Sequence, residues 1–276
     1  MSKKRLIAMF VSLCIIIVIC VLGGAVFVVK DIDIARLEGL ENNTQIKDSD
    51  IIATTKISYG KSIFAISESK VVTNIESTYP TLKVRSIERV FPNKIIIKVI
   101  ERVPMIAIRF KGGNEYLILD NNMCAIKKVS VTESDKAEKL NNLCIVDGFE
   151  LEGTKDIFLG KQLPRIYGDE VIIIQHILSG LIHENMELKQ INEFMSRLIF
   201  DKGVKKVYLQ TRYGTGEGVS IFIDYGDIEK DKNIVYKKVR LARQKYVTLE
   251  TEERAKGYMF YDVNTDTYIY KLNKSI

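Results

Sequence analysis

Few side chains of this 276-residue chain stand at spacings that chemistry requires. Its only histidines, His176 and His183, are seven residues apart. On a helix that is two turns, roughly 10 Å, too far to chelate one ion, whereas helical zinc pairs use a spacing such as i, i+4. The stretch Gly214-Thr-Gly216-Glu-Gly218 has the look of a phosphate loop, but such a loop must open onto a helix N-terminus. Here Val219–Tyr225 alternates like a strand, so a hairpin connection is expected. Glu101 and Arg102 fall on opposite sides of a strand and form no joint site; a solvated or cross-strand-paired role is expected for them. No Gly-x-Ser-x-Gly elbow occurs, and no Cys–His or paired-carboxylate spacing stands out. No catalytic residue, cofactor site or metal site is assigned.

Three further groups invite binding instead of catalysis. The run Lys237, Lys238, Arg240, Arg243, Lys245 surrounds Val235, Val239 and Ala242. That spacing describes an amphipathic helix with a solvated basic face, or one that meets anionic lipid or an acidic partner. Cys124 and Cys144 are 20 residues apart and fit either one disulfide or two buried thiols. The last strand, Thr267–Leu272, sets Tyr268 and Tyr270 on one face and Ile269 on the other. A terminal strand often lies at a sheet edge, where unpaired backbone groups accept a partner's strand. Thr267, Tyr268, Ile269, Tyr270, Lys271 and Leu272 are therefore the candidate partner-binding residues.

The elements that must carry these groups begin with the uncharged run Leu6–Val29, which follows Lys3, Lys4 and Arg5. As a helix its 24 residues span roughly 36 Å against a hydrocarbon core of about 30 Å. Sixteen of the 24 are Leu, Ile, Val or Phe, so insertion is favourable. A cleaved signal peptide, whose apolar core runs about 7–15 residues, is the competing reading. The basic tail predicts a cytoplasmic N-terminus and an extracytoplasmic body. Net charge is +6, and with the body outside the cytoplasm this favours anionic envelope surfaces over nucleic acid.

Beyond the anchor, periodicity predicts a strand at Ile32–Leu37 and a short helix capped by Asp48 or Ser49 and carrying Ile51 and Ile52. A helix capped by Ser67 follows, with Val71, Val72 and Ile75 inward. Strands over Val84–Val90 and Lys94–Glu101 are joined by a turn at Phe91–Pro92–Asn93. This β-α-α-β-β unit is a compact α+β module. Strands are then expected at Met105–Phe110, Tyr116–Leu119 and Ala125–Lys128. Helices are expected from about Glu170 to Glu184, capped by Asp169, and over Leu188–Phe200. Strands at Val204–Thr211 and Val219–Tyr225, a helix at Lys232–Lys245 and a hairpin of Tyr258–Asp262 with Thr267–Leu272 complete the chain.

Several of these segments resemble the FtsQ/DivIB cell-division family, best between residues 57 and 126. Ile57-Ser-Tyr-Gly-Lys-Ser-Ile-Phe64 resembles that family's approach to its second helix. Tyr79-Pro80 with Val84-Arg-Ser-Ile-Glu-Arg89 is similar to its next strand. Val90-Phe-Pro-Asn-Lys-Ile-Ile-Ile97 is similar to its Pro-Asn hairpin, and Glu101-Arg-Val-Pro104 to the strand that leaves its POTRA domain. Tyr116-Leu-Ile-Leu-Asp120 resembles the opening of its β domain. Asn122 stands where the family usually has Gly, and Gly39-Leu40 where Gly-Asn is common.

The resemblance implies a tail at 1–5, a transmembrane helix at 6–29, a POTRA-like domain at 30–102 and a larger mixed-sheet β domain with helices at 103–276. It implies a non-enzymatic scaffold at the division septum in the cytoplasmic membrane, binding partners of the FtsB/FtsL (DivIC) type. Neither nucleic acid nor a small-molecule substrate is expected. The alternatives are an anchored POTRA protein of polypeptide export or envelope assembly, and an anchored extracytoplasmic enzyme.

Overall fold

The computed structural model describes residues 10–13, 15, 26–37, 46–153, 156–226, 231 and 233–272. The expected tail, most of the run Leu6–Val29 and the Gly39–Leu40 pair lie outside them. Among the described residues no helix is long and apolar enough to cross a membrane. Two compact units divide between Glu101 and Arg102.

In the first unit, β1 (Asp31–Arg36), α1 (Asp48–Thr55), α2 (Glu68–Thr78), β2 (Leu82–Val90) and β3 (Lys94–Glu101) follow one another. The sheet order is β1-β3-β2, with β1 parallel and β2 antiparallel to β3. Ile95, Ile97 and Val99 alternate inward along the central strand and meet Ile51, Val71 and Ile75 of the helices. Each such fully buried aliphatic contributes about 1.5–3 kcal/mol. The alternation of β2 fails midway for a definite reason. Val84 pairs with Val99 but Ser86 with Lys98, so Arg85 is an extra, bulged residue. A bulge exchanges the two faces, which moves the inward set from Leu82 and Val84 to Ile87. The Glu76 carboxylate accepts the Val84 N–H at 2.9 Å beside the bulge.

One helix start differs from expectation. The N-cap of α1 is Lys47, and Ser67 occupies the N-cap of α2 without a side-chain cap bond. Arg89 instead secures that start. Its guanidinium donates to Ile63 O at 3.1 Å and to Ile66 O at 3.2 Å, and pairs with Glu68.

The second unit is one nine-stranded sheet of order β12-β11-β10-β9-β8-β7-β4-β5-β6. Its strands are β4 (Ile106–Phe110), β5 (Glu115–Leu119), β6 (Ala125–Ser130), β7 (Cys144–Leu151), β8 (Met195–Asp201), β9 (Lys206–Tyr213), β10 (Gly216–Asp224), β11 (Tyr258–Asp262) and β12 (Thr267–Lys271). A four-residue helix, α3 (Lys136–Lys139), precedes β7. The main core joins the sheet to α4 (Asp169–His183), α5 (Leu188–Phe194) and α6 (Ile234–Val247). A short α7 (Thr251–Arg254) leads into β11. A smaller cluster of Ala107, Tyr116, Ile118, Val131, Leu140 and Leu143 is separate from this core. Ala107 and Ile118 alternate along β4 and β5 with main-core residues, so these strands are buried on both faces and read as continuous apolar runs.

Two elements depart from the expected set. The helix over Leu188–Phe200 stops at Phe194, and Met195–Asp201 is a strand between β7 and β9. Strand β7 lies where periodicity suggests no element, because Gly148 interrupts its pattern. Gly148 has φ +75°, and a Cβ there would stand 2.1 Å from Phe200 O. Asp169 is the first residue of α4, not its cap, which is Gly168.

Arg102 opens the second unit and is neither solvated nor paired across a strand. It is buried against Asp120 at 2.5 Å, both side chains 2% exposed. Asp120 also accepts the N–H groups of Asn122 at 2.8 Å and Cys124 at 2.9 Å, which holds the turn before β6. No disulfide joins Cys124 and Cys144, and Cys144 is buried.

Asp120→Ala is expected to cost about 3–5 kcal/mol in urea unfolding, because it removes the carboxylate paired with the buried Arg102 and the acceptor of two turn N–H groups. Gly148→Ala is expected to cost about 3 kcal/mol or more in the same urea unfolding, since both φ and the Phe200 carbonyl oppose a Cβ.

Candidate partner-binding edge

The six candidate residues form one continuous edge. Strand β12 pairs with β11 from Asp262↔Thr267 to Tyr258↔Lys271, and β11 runs parallel to β10. Leu272 follows the strand and is exposed. The hairpin closes on Asp262, whose carboxylate accepts from Thr265 Oγ1 at 2.8 Å and from Asn264 N at 3.2 Å. Those bonds, the Thr265 hydroxyl first, hold the Asp262 carboxyl below its ordinary range. At the other end, Gly257 has φ +96° and a Cβ would meet Lys271 O at 2.6 Å, so only glycine lets the chain enter β11 here.

The two faces of β12 do different things. Tyr268 is 1% exposed, and its hydroxyl donates to Phe222 O at 3.1 Å. Burial pushes its phenol far above the ordinary range, so it stays a neutral donor. Tyr270 packs on the same core and donates to Lys256 O at 3.0 Å. These tyrosines anchor the strand; the ring of Tyr268 is not available to a partner. On the other face Ile269 is half-buried and Lys271 exposed, with Lys271 Nζ 5.1 Å from the Phe260 ring centroid.

A row of residues that periodicity did not single out leads to this edge. Tyr208 pairs with Phe222, Phe222 with Phe260, and Phe260 with Ile269, across β9, β10, β11 and β12. All four are half-buried. The Tyr208 and Phe222 rings meet edge-on at 4.9 Å, and Tyr258 stacks on Phe222 at 5.3 Å. Sequence contains the signal as aromatic residues at alternate positions, but only the register shows that they align.

The described sheets have four outer edges, and three carry charge along their length. Strand β1 contains Asp31, Asp33 and Arg36; β2 contains Lys83, Arg85, Glu88 and Arg89; β6 contains Lys127 and Lys128. Charge of this kind discourages strand addition. Strand β12 is uncharged from Thr267 to Tyr270, and no described strand pairs with its outer side.

The other candidates are structural in setting. The basic run lies on α6, but most of it is engaged. Lys237 pairs with Asp231 at 2.7 Å, Arg240 with Glu184 at 2.8 Å, and Lys238 donates to Asp224 O at 2.8 Å. Arg243 lies 5.1 Å from the Phe194 ring centroid and 5.6 Å from that of Tyr246, and burial lowers its pKa. The Gly214 loop connects β9 to β10. A Cβ at Gly218 would stand 2.6 Å from Arg254 O, so that glycine serves close packing. His176 and His183 are both on α4; His176 Nδ1 is buried without a hydrogen bond, and His183 meets the Tyr236 ring at 5.8 Å.

Burial lowers the His176 pKa from about 6.5. The unfolded chain therefore binds a proton that the folded chain resists, and stability is expected to fall as pH drops below about 6.5. His176→Gln is expected to flatten that slope in unfolding midpoints measured from pH 7.5 to 5.

Comparison with known proteins gives a consistent set of matches. Residues 40–102 match the family model described as POTRA domain, FtsQ-type. A cell division protein FtsQ of Syntrophotalea carbinolica is 30% identical over 95 residues, covering 34% of this chain and 33% of that protein. A cell division protein DivIB of Clostridium tetani is 29% identical over 108 residues, covering 39% and 40%. The matched region spans a third to two-fifths of these relatives' length.

Proposed function

We propose that this chain, a member of the FtsQ/DivIB family, is a bacterial cell-division scaffold that holds septal partners through the outer edge of β12. The observation that carries this reading is the uncharged, outward-facing edge Thr267–Tyr270 at the end of the sheet. An added strand gains main-chain hydrogen bonds along β12, and its side chains extend the row Tyr208, Phe222, Phe260, Ile269. Affinity comes from the ladder and selectivity from that row.

The segment Leu6–Val29 serves as the anchor in the cytoplasmic membrane, with the body extracytoplasmic. Near its start, the apolar side chains of Phe10, Val11, Leu13 and Ile15 are each half or more exposed, which suits a lipid environment. The family resemblance implies small single-span partners of the FtsB/FtsL or DivIC type. Partners confined to one membrane meet at raised effective concentration, so a modest edge affinity suffices. The work is binding and positioning, without a reaction.

Photo-crosslinkers at Thr267, Ile269 and Lys271 of the full chain in cells are expected to capture a septal single-span membrane protein. Ile269→Lys, which puts a charge into the open edge, is expected to weaken that capture by about tenfold or more while the unfolding midpoint stays near wild type. Capture of no septal protein, with the chain spread evenly around the cell, overturns the reading.

A further inference from the structure

The first unit carries an exposed aromatic cluster at the point where the apolar run Leu6–Val29 ends. Phe27, Phe64 and Phe91 form a closed triangle, with ring centroids 5.8, 5.8 and 5.7 Å apart. Phe64 is 60% exposed and Phe91 58%, and Tyr59, Val26 and Val90 nearby in sequence are exposed as well. Isolated exposed apolar residues are ordinary; a contiguous patch of large ones marks an interaction surface.

Backbone bonds hold this triangle against the end of the run. Val29 N donates to Lys61 O at 2.8 Å, Gly60 N to Val29 O at 2.9 Å, and Ile63 N to Phe27 O at 3.0 Å. On the other side Lys30 N donates to Asn93 O at 2.8 Å. Residues 27–30 are thus clamped between the loop that carries Phe64 and the hairpin turn that carries Phe91. The patch cannot swing away from the point where the chain leaves the apolar run.

Length fixes the depth of that point. Within the run, helical conformation among the described residues ends at Val26. As a helix the 21 residues Leu6–Val26 span roughly 31 Å, about the thickness of a 30 Å core, so Val26 and Phe27 stand at the headgroup boundary. Aromatic rings favour that layer. Basic groups border the patch. Lys30 and Lys61 are exposed, and Lys61 also lines a cleft of about 610 Å³ together with Lys56 and Lys70, with no carboxylate residue in its lining.

We propose that Phe27, Phe64 and Phe91 form a foot that inserts into the outer surface of the membrane, with Lys30 and Lys61 on anionic phospholipid headgroups. The occupant is the lipid surface because the patch is continuous with the apolar run itself and its border is cationic. The proposal rests on the anchor reading given above. It adds that the POTRA unit is seated on the bilayer in one orientation and does not hang from a free tether.

The chain contains no tryptophan, so Phe64→Trp and Phe91→Trp each supply a single fluorophore at positions exposed enough to tolerate it. Phe10→Trp, inside the apolar run, reports the anchor alone. Each full-length variant is reconstituted into phosphatidylcholine–phosphatidylglycerol vesicles with brominated acyl chains. The expected result is quenching of F64W and F91W at a shallow depth of about 5–10 Å into the headgroup and acyl boundary, together with quenching of F10W. If F10W is quenched while F64W and F91W remain unquenched and open to iodide, the foot is overturned and the anchor stands. If none of the three is quenched, both readings fall.

Discussion

Every interior strand of an open sheet satisfies its backbone on both sides, and its outermost strands cannot. That constraint organises the second unit. Its parallel joints, β4 with β7, β7 with β8 and β10 with β11, each need a crossover long enough to return the chain in the same direction. The crossovers from β7 to β8 and from β10 to β11 contain α4, α5 and α6, and these helices bury one face of the sheet. Nine strands are thereby held in one ladder that ends, at β12, on a row of backbone groups with no described partner strand. The candidate binding edge is a consequence of how the ladder is built, not an addition to it.

Much of this was legible in sequence where one face of an element meets one core. Strand β3 follows the expected Lys94–Glu101, and the terminal hairpin lies within one residue of expectation. What escaped was decided by distant partners. Ile191, Phe194, Met195 and Leu198 repeat as a helix would, yet Met195 onward is a strand because pairing on both sides, Leu198 with Val146 and Leu209, outweighs local periodicity. Strand β7 was hidden by Gly148, whose left-handed φ looks like a turn and is in fact a bend inside a paired strand. Arg102 and Asp120 are 18 residues apart and look like two ordinary surface charges. Burial makes them one unit, and charged groups that deep are tolerated only when paired and hydrogen-bonded.

The candidate edge was legible in the same limited way. Alternation identifies Tyr268 and Tyr270 as one face and Ile269 as the other, but not which face is buried. The hydroxyl bond from Tyr268 to Phe222 O and its neighbour from Tyr270 to Lys256 O settle that, turning the tyrosines into anchors. The row from Tyr208 to Ile269 spans 61 residues of sequence and exists only through register. Charge misleads in the opposite sense. The basic run on α6 reads as a cationic surface, yet Lys237, Lys238, Arg240 and Arg243 are drawn onto carboxylates, a carbonyl and aromatic rings of the same unit. Lys30 and Lys61, which stand singly in sequence, face outward.

A scaffold on a membrane gains from every degree of freedom it has already given up. An anchor alone confines a body to a layer but leaves it free to tumble, and that freedom is lost again whenever a partner docks. A foot that seats the POTRA unit on the bilayer removes that freedom for the POTRA unit itself. Edge pairing is directional, since a strand adds only where the ladder faces it. The more tightly the body is oriented, the smaller the set of approaches that a partner in the same bilayer must search. An edge of four uncharged residues then discriminates by geometry more than by contact area.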